Sequence, residues 1–471
     1  MEEFVALMER CFPFPPTRGQ SDVLRVFAAF VASANPMSVM LLRGSAGTGK
    51  TTLTAAIVRA LSSVARKVVL LAPTGRAAKV LSLNAGRPAY TIHRKIYRQK
   101  TFEGTFSLND NLHSDTLFVV DEASMIANDG FTQSVFGSGR LLDDLTQYVY
   151  NGRNCRLMLI GDTAQLPPVG EEESPALSSD FMRGYGFDVF EADLREVLRQ
   201  SALSGILYNA TIIRQMITHD EMTQLPKITF TGFADVQVVT GNDLIEQLST
   251  SYAEVGHDET MVVTRSNKRA NIYNQGIRNM VLGCEEQLCT GDMLMMVKNN
   301  YFWTEQEENA PLPFIANGDR AVVRRVRNVH DLYGLHFADL TLAFPDYDGY
   351  ELTATVVTDS LMSEAPALTQ EQNQLLFNGV MDDYADIRSK RDRIEKVKHD
   401  RHFNAIQIKY AYAVTCHKAQ GGQWAHVYVD QGYMTDDMLT PSYIHWLYTA
   451  FTRATDKLFL VNWPKNQCQD E

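Results

Sequence analysis

Short runs of consecutive apolar residues recur along the first part of the chain. Val39-Met40-Leu41-Leu42, Lys67-Val68-Val69-Leu70-Leu71-Ala72, Leu117-Phe118-Val119-Val120 and Arg156-Leu157-Met158-Leu159-Ile160 each have the length of a strand buried on both faces. Residues 52–61, between the first two runs, carry helix-like spacing. Each run ends in a polar or Gly-containing turn, the edge at which a parallel sheet gathers ligands. The same alternation returns at Thr260-Met261-Val262-Val263-Thr264, at Ala425-His426-Val427-Tyr428-Val429-Asp430 and at Lys457-Leu458-Phe459-Leu460-Val461. The pattern therefore predicts two α/β domains.

Two segments break this rhythm. Residues 97–108 predict a hairpin turning at Glu103-Gly104, with Phe102 and Phe106 flanking the tip. Residues 285–357 are β-rich, including 320–327 and 335–344, and residues 369–402 are polar and helical. In that last stretch Arg388, Lys390, Arg391, Arg393, Lys396, Lys398 and Arg401 are mixed with acids, which suits a solvated helix face better than a nucleic-acid contact.

The turn after the first apolar run is the most specific chemistry in the chain. Gly44-Ser45-Ala46-Gly47-Thr48-Gly49-Lys50-Thr51 fits the P-loop pattern G-x-x-x-x-G-K-[ST] at every fixed position. Its glycines let successive backbone N–H groups turn inward around phosphate oxygens. Lys50 can reach the β- and γ-phosphates, and the Thr51 hydroxyl can ligate Mg²⁺. The helix that follows would place its N-terminus on the phosphates.

The third apolar run feeds Asp121-Glu122-Ala123-Ser124-Met125. Asp121 is placed to hold Mg²⁺ and Glu122 to orient and deprotonate an attacking water. The fourth feeds Gly161-Asp162-Thr163-Ala164-Gln165-Leu166-Pro167-Pro168-Val169, where Gln165 can hydrogen-bond both a γ-phosphate and that water. Charge developing on the phosphate calls for further cations. Arg199 and Arg453 lie in suggestive contexts, although spacing alone does not single them out.

Composition narrows the setting. A chain of 471 residues is long enough for about three domains. No apolar stretch approaches the roughly 18 residues of a membrane span, and the acidic start Met1-Glu2-Glu3-Phe4 is unlike a signal peptide. The six cysteines lack metal-ligand spacing, so a reduced, cytoplasmic protein is expected. A net charge of −12 argues against coating nucleic acid by bulk charge and leaves a local basic track open.

Taken in order, these motifs resemble the class B helicases of superfamily 1, specifically the RecD-like and Dda-like branch, from Gln20 to Val461. Thr17-Arg18-Gly19-Gln20 resembles the adenine-reading Q motif, with Gln20 as the reader. Residues 44–52 match motif I, so that Gly44, Ser45, Ala46, Gly47, Thr48, Gly49, Lys50, Thr51 and Thr52 would hold ATP. Ala72-Pro73-Thr74-Gly75-Arg76-Ala77-Ala78-Lys79 resembles motif Ia, and Thr91-Ile92-His93-Arg94 the neighbouring strand-contacting element. Asp121 to Met125 falls on motif II and Gly161 to Val169 on motif III. Arg199 falls on the motif IV arginine and Arg453 on that of motif VI. Val414-Thr415-Cys416-His417-Lys418-Ala419-Gln420-Gly421 is similar to motif V, with Gly421 on the nucleotide side.

The resemblance implies an α/β fold of two RecA-like P-loop domains with parallel sheets, a small β-hairpin insertion and an SH3-like β-rich insertion. Residues 1–93 and 113–186 would form the first RecA-like domain and 94–112 a pin-like hairpin. Residues 187–284 and 408–471 would form the second domain, and 285–407 the SH3-like insertion with its helical extension. Arg199 and Arg453 would reach the ATP as arginine fingers. Thr74, His93, Asn300, Thr415 and His417 would contact the nucleic-acid strand, and Phe102 and Phe106 would stack at the duplex junction. The implied activity is ATP- and Mg²⁺-dependent, 5′ to 3′ translocation on single-stranded DNA with unwinding of forked or tailed duplex by a monomer. An RNA-directed class B helicase, and a nucleotide-gated nucleic-acid-binding ATPase without unwinding, remain open at this stage.

Overall fold

The computed structural model describes residues 1–99, 106–128, 137–196, 204–218, 225–304, 312 and 314–469. The strands of the first half are β1 (Ser38–Gly44), β2 (Lys67–Ala72), β3 (Ala89–Thr91), β4 (Tyr97–Gln99), β5 (Phe106–Leu108), β6 (Thr116–Val120), β7 (Arg156–Gly161) and β8 (Asp188–Leu194). Six of them form one parallel sheet in the order β3-β2-β6-β7-β1-β8. Val39 and Leu41 of β1 enter the core around Phe118, Leu145 and Tyr148, while Met40 and Leu42 enter the one around Phe27, Phe30 and Ile57. Both faces are dry, which is why the sequence shows a continuous apolar run instead of alternation.

Strand order creates the site. β6, β7 and β1 are neighbours, so their carboxyl ends deliver Asp121, Asp162 and the P-loop to one edge of the sheet. The helix Lys50–Ser63 starts directly from the P-loop, capped by Gly49 in the left-handed conformation at φ 82°. A side chain there would be strained.

β4 and β5 pair as the expected hairpin, Tyr97 with Leu108, Arg98 with Ser107 and Gln99 with Phe106. The Tyr97 hydroxyl donates to Asp144 at 2.7 Å and ties the hairpin base to the helix Leu141–Tyr150. Phe102 and the turn at 103–104 lie outside the described residues.

The second half contains β9 (Val236–Val239), β10 (Thr260–Thr264), β11 (Met293–Met296), β12 (Arg320–Leu332), β13 (Leu335–Phe344), β14 (Tyr350–Val357), β15 (Ile406–Tyr410), β16 (Ala413–Thr415), β17 (Trp424–Asp430) and β18 (Ala454–Val461). A second parallel sheet runs β16-β10-β17-β18-β9, and β11 to β15 close into a barrel. The barrel differs from the sequence expectation at its end. β15 completes it by pairing with both β11 and β14, so it runs past residue 407, where the expected insertion stops. Gln407 and Lys409, polar in sequence, are buried there with Ile406, Ile408 and Tyr410.

The helices Gln370–Asp383 and Lys390–Lys398 lie between β14 and β15 in sequence. They pack Leu376, Val380 and Val397 onto Leu335, Phe337 and Val357 of the barrel, leaving Arg388, Lys390 and Arg391 exposed. Elsewhere the barrel meets the first half of the chain. Lys79 of the helix Gly75–Ala85 donates to the Pro345 carbonyl, and the Tyr347 hydroxyl lies 2.7 Å from where a Cβ on Gly75 would sit. Among the described residues, no helix is long and apolar enough to cross a membrane.

Candidate active site and groove

In the P-loop, Lys50 Nζ donates to the carbonyls of Gly44 and, at 3.0 Å, Ser45, while Thr48 Oγ1 donates to Ser45 O at 2.8 Å. The loop therefore holds its own curl and keeps the ammonium at its opening. Gln20 is buried behind it. Its Nε2 donates to Thr48 O at 3.4 Å, and its Oε1 accepts from Thr17 N at 3.0 Å in a reciprocal cap of the helix Arg18–Ala32. An amide still has one more N–H and one more lone pair to offer a ligand.

Burial, and then repulsion from Glu122, push the Asp121 carboxyl up to about 6. Its Oδ1 accepts from the Glu122 N–H at 2.9 Å. Glu122 itself has φ 53°, an uncommon backbone conformation for a residue with a Cβ. A buried carboxyl raised in this way beside a second acid suits a divalent cation, which would favour its charged form. Thr51, exposed at the first turn of its helix, supplies the hydroxyl expected beside such an ion.

The second half of the chain reaches into this edge through two helices. From the helix Pro441–Phe451, the Tyr448 hydroxyl accepts from Ala46 N at 2.9 Å and donates to Asp162 Oδ2 at 2.6 Å. Burial and the Asp162 charge hold that hydroxyl in its protonated form. On the same helix, Thr449 Oγ1 accepts from Leu166 N at 2.8 Å and His445 Nδ1 lies 2.9 Å from Ala164 O. From the helix Gly205–Thr218, Arg214 donates to Ser45 Oγ. Gln165 is buried, and its Oε1 has no hydrogen-bond partner among the described residues.

Sequence reading missed Arg214, His445, Tyr448 and Thr449 as contacts of the cleft. The last three carried a signal: they are polar residues at i, i+3 and i+4 of an otherwise apolar helix, a stripe with a face to itself. Arg214 carried none.

Arg453 corrects the expectation. Its guanidinium is fully buried within its own half of the chain, donating to Thr449 O and Gly422 O at 3.0 Å each and to Thr452 Oγ1 at 3.2 Å. Two carbonyls and a hydroxyl thus hold the guanidinium within its own half of the chain. Arg199 lies outside the described residues.

On another side of the same interface lies a groove of about 770 Å³. The first half lines it with Thr74, Arg76, Met125 and Val169, the second sheet and its loops with Thr415, His417, Lys418, Gln420 and Trp424, and the barrel with Asn317, Gly318 and Arg320. Three parts of the fold thus share one concave surface. The Arg76 and Arg320 guanidinium groups both approach the Trp424 indole, 4.8 and 5.8 Å from its centroid. Burial lowers the His417 imidazole and brings the Lys418 ammonium down to about 8. Thr74 Oγ1 accepts from Ala77 N at 3.2 Å as a helix cap, whereas the Thr415 hydroxyl caps nothing.

Three further expected residues can be placed. Gly421, expected beside nucleotide, has φ 72°, and a Cβ there would stand 2.9 Å from Thr74 Oγ1. His93 does not line the groove; it lies beside Tyr97, with ring centroids 5.7 Å apart, and burial pushes its imidazole down to about 4. Asn300 is also absent from the lining, because its Nδ2 donates to Asn404 O at 2.7 Å within the insertion. For Phe106 only the backbone is described.

Comparison with known proteins follows the same division. Residues 17–207 match the AAA domain family, and residues 410–461 the UvrD-like helicase C-terminal domain. The chain is 26% identical over 357 residues to the ATP-dependent DNA helicase dda of Enterobacteria phage T4, covering 71% of this chain and 75% of that protein. It is 36% identical over 134 residues to the ATP-dependent RecD2 DNA helicase of Deinococcus radiodurans, covering 28% of this chain and 16% of that one. Among solved structures, Bacteroides Pif1 bound to ssDNA aligns over 97% of this chain and 95% of its own, at 16% identity and a TM-score of 0.48.

Proposed function

This chain belongs to the class B helicases of superfamily 1, the branch that includes RecD-like and Dda-like enzymes, and we propose that it is an ATP-driven helicase that moves 5′ to 3′ along single-stranded DNA and opens duplex at its hairpin. One observation carries the coupling. Motif III touches both sites at once: Asp162 bonds Tyr448 in the cleft, and Leu166 O accepts at 2.6 Å from Gln420, which lines the groove. Gln420 adjoins Gly421, which rests on Thr74. A shift of the two halves at the nucleotide therefore reaches the groove through a handful of contiguous residues.

In this reading the P-loop amides and Lys50 bind the phosphates of ATP, and Gln20 contributes its remaining amide valences to the base. Thr51 and Asp121 would hold Mg²⁺, which when bound neutralises phosphate charge. Glu122 takes the proton of the attacking water, and the unpartnered Gln165 Oε1 is available to orient that water. The closed cleft keeps Tyr448 and Arg214 on the P-loop, as the structure has them, and release after hydrolysis lets them part. Thr74, Thr415 and His417 make phosphate contacts weak enough to break in each cycle, in a groove that Arg76, Arg320 and Lys418 also line. Parting one base-pair step costs on the order of 1–2 kcal/mol, and the hairpin anchored at Tyr97 supplies the wedge. Polarity is carried over from the class B relationship.

The deciding experiment compares duplexes bearing a single 5′ or a single 3′ tail, with DNA and RNA tails of matched sequence. Unwinding of the 5′-tailed DNA substrate alone is the expected result. Unwinding from the 3′ tail would reverse the polarity, and stimulation by RNA alone would change the substrate. ATP hydrolysis without any strand separation would make the chain a nucleotide-gated binding protein.

A further inference from the structure

Resting on the reading of this cleft as the ATP site, we infer that Arg214 is a further cation that the second domain presents to the γ-phosphate, and that it helps the closed cleft distinguish ATP from ADP. The position of the γ-phosphate end is marked by Lys50, the residue whose ammonium serves the β- and γ-phosphates of a P-loop. Lys50 Nζ rests 3.0 Å from Ser45 O, and Arg214 donates to Ser45 Oγ. Cations from the two domains thus meet on one residue of the loop.

The partner Arg214 has there is a poor one. Among the described residues its guanidinium bonds a neutral hydroxyl and has no carboxylate partner. A planar, permanently charged donor with five N–H groups, held at the mouth of a phosphate-binding loop, is arranged for an anion that is present only part of the time.

The helix that carries Arg214 is firmly mounted. Asp235 accepts from Ser204 Oγ at 2.6 Å, Gly205 N at 2.8 Å and Ile206 N at 3.3 Å, capping the helix start with a carboxylate that also suits the helix dipole. One turn on, Asn209 Nδ2 donates to Thr229 O at 2.9 Å and Asn209 Oδ1 accepts from Thr229 N at 2.9 Å. Arg214 therefore travels with the second domain as a rigid body. A γ-phosphate drawing in Arg214 would pull the domains together, and its departure would release them.

The test measures binding of fluorescent ADP and of a non-hydrolysable fluorescent triphosphate to the full chain with single-stranded DNA, for wild type, R214A, R214Q and R214K. Single-turnover hydrolysis and thermal unfolding are measured on the same samples. The expected result for R214A and R214Q is a tenfold or greater loss of triphosphate affinity, with ADP affinity within about threefold and hydrolysis slowed on the order of 10²–10³-fold. R214K should recover part of the triphosphate preference. If R214A does not fold, the near-isosteric R214Q decides. Equal loss of both nucleotides would make Arg214 a brace for the loop, and unchanged preference with unchanged hydrolysis would also overturn the inference. A wild-type chain that binds neither nucleotide would instead overturn the wider reading of the cleft.

Discussion

Glu122 occupies a left-handed backbone conformation at the end of a buried strand, next to an acid whose proton affinity it raises. Holding a glutamate there costs on the order of 1–3 kcal/mol, and such strain gathers where a side chain must be aimed. Gln keeps the same backbone and shape while removing the base. Glu122→Gln is therefore expected to bind nucleotide as wild type does and to hydrolyse it at least about 100-fold more slowly. Rapid-mixing hydrolysis beside equilibrium nucleotide binding checks this, and full turnover in the variant would remove Glu122 as the base. At this scale the sequence was legible wherever chemistry is contiguous: Lys50, Asp121, Glu122 and Gln165 all stand at strand ends that apolar runs announce. Arg453 shows the limit. Its motif is plain in sequence, yet the direction of its side chain depends on the Thr449 and Gly422 carbonyls around it.

The helix Pro441–Phe451 is the element that binds the two halves together. Its Tyr448 spans Ala46 and Asp162, and Thr449 holds Leu166. Tyr448→Phe leaves a backbone N–H and a carboxylate without that partner, and a hydrogen bond to a charged group is worth about 1.5–3 kcal/mol. The variant should lose cohesion between the halves before it loses either half, seen as an earlier first phase in urea unfolding of the nucleotide-free protein. A single transition superimposed on wild type would count against the contact. Elements buried on both faces were readable as continuous apolar runs, whereas β8 and β15 were not. β8 carries Asp188, Glu191 and Asp193 at a sheet edge, and β15 buries a Gln and a Lys that tertiary partners satisfy: Gln407 Oε1 accepts from Leu368 N, and Lys409 donates to Ser363 O.

Across the whole molecule, the barrel of the second half is docked on the motif Ia helix of the first, beside the groove. Gly75 makes this possible: a Cβ there would stand 2.7 Å from the Tyr347 hydroxyl and 3.2 Å from Asp319. Gly75→Ala should push the barrel away and shorten the residence time of single-stranded DNA severalfold. Tyr347→Phe in the same chain removes the nearest atom and should restore part of it. Stopped-flow dissociation of a labelled oligonucleotide from the four members of this cycle gives the answer, and additive effects would mean that the docking contact does not control the groove. The sequence by itself determined the two α/β domains, the P-loop, the acids beside it and the family to which they belong, because each is written in neighbouring residues whose geometry is local. Only the tertiary structure decided which residues of the second half face that loop. Ala46 and Tyr448 are 402 positions apart, and Ser45 and Arg214 are 169 apart. Contacts over such distances depend on how two separately cored sheets are brought together, and no pattern along the chain encodes the direction in which their side chains then point.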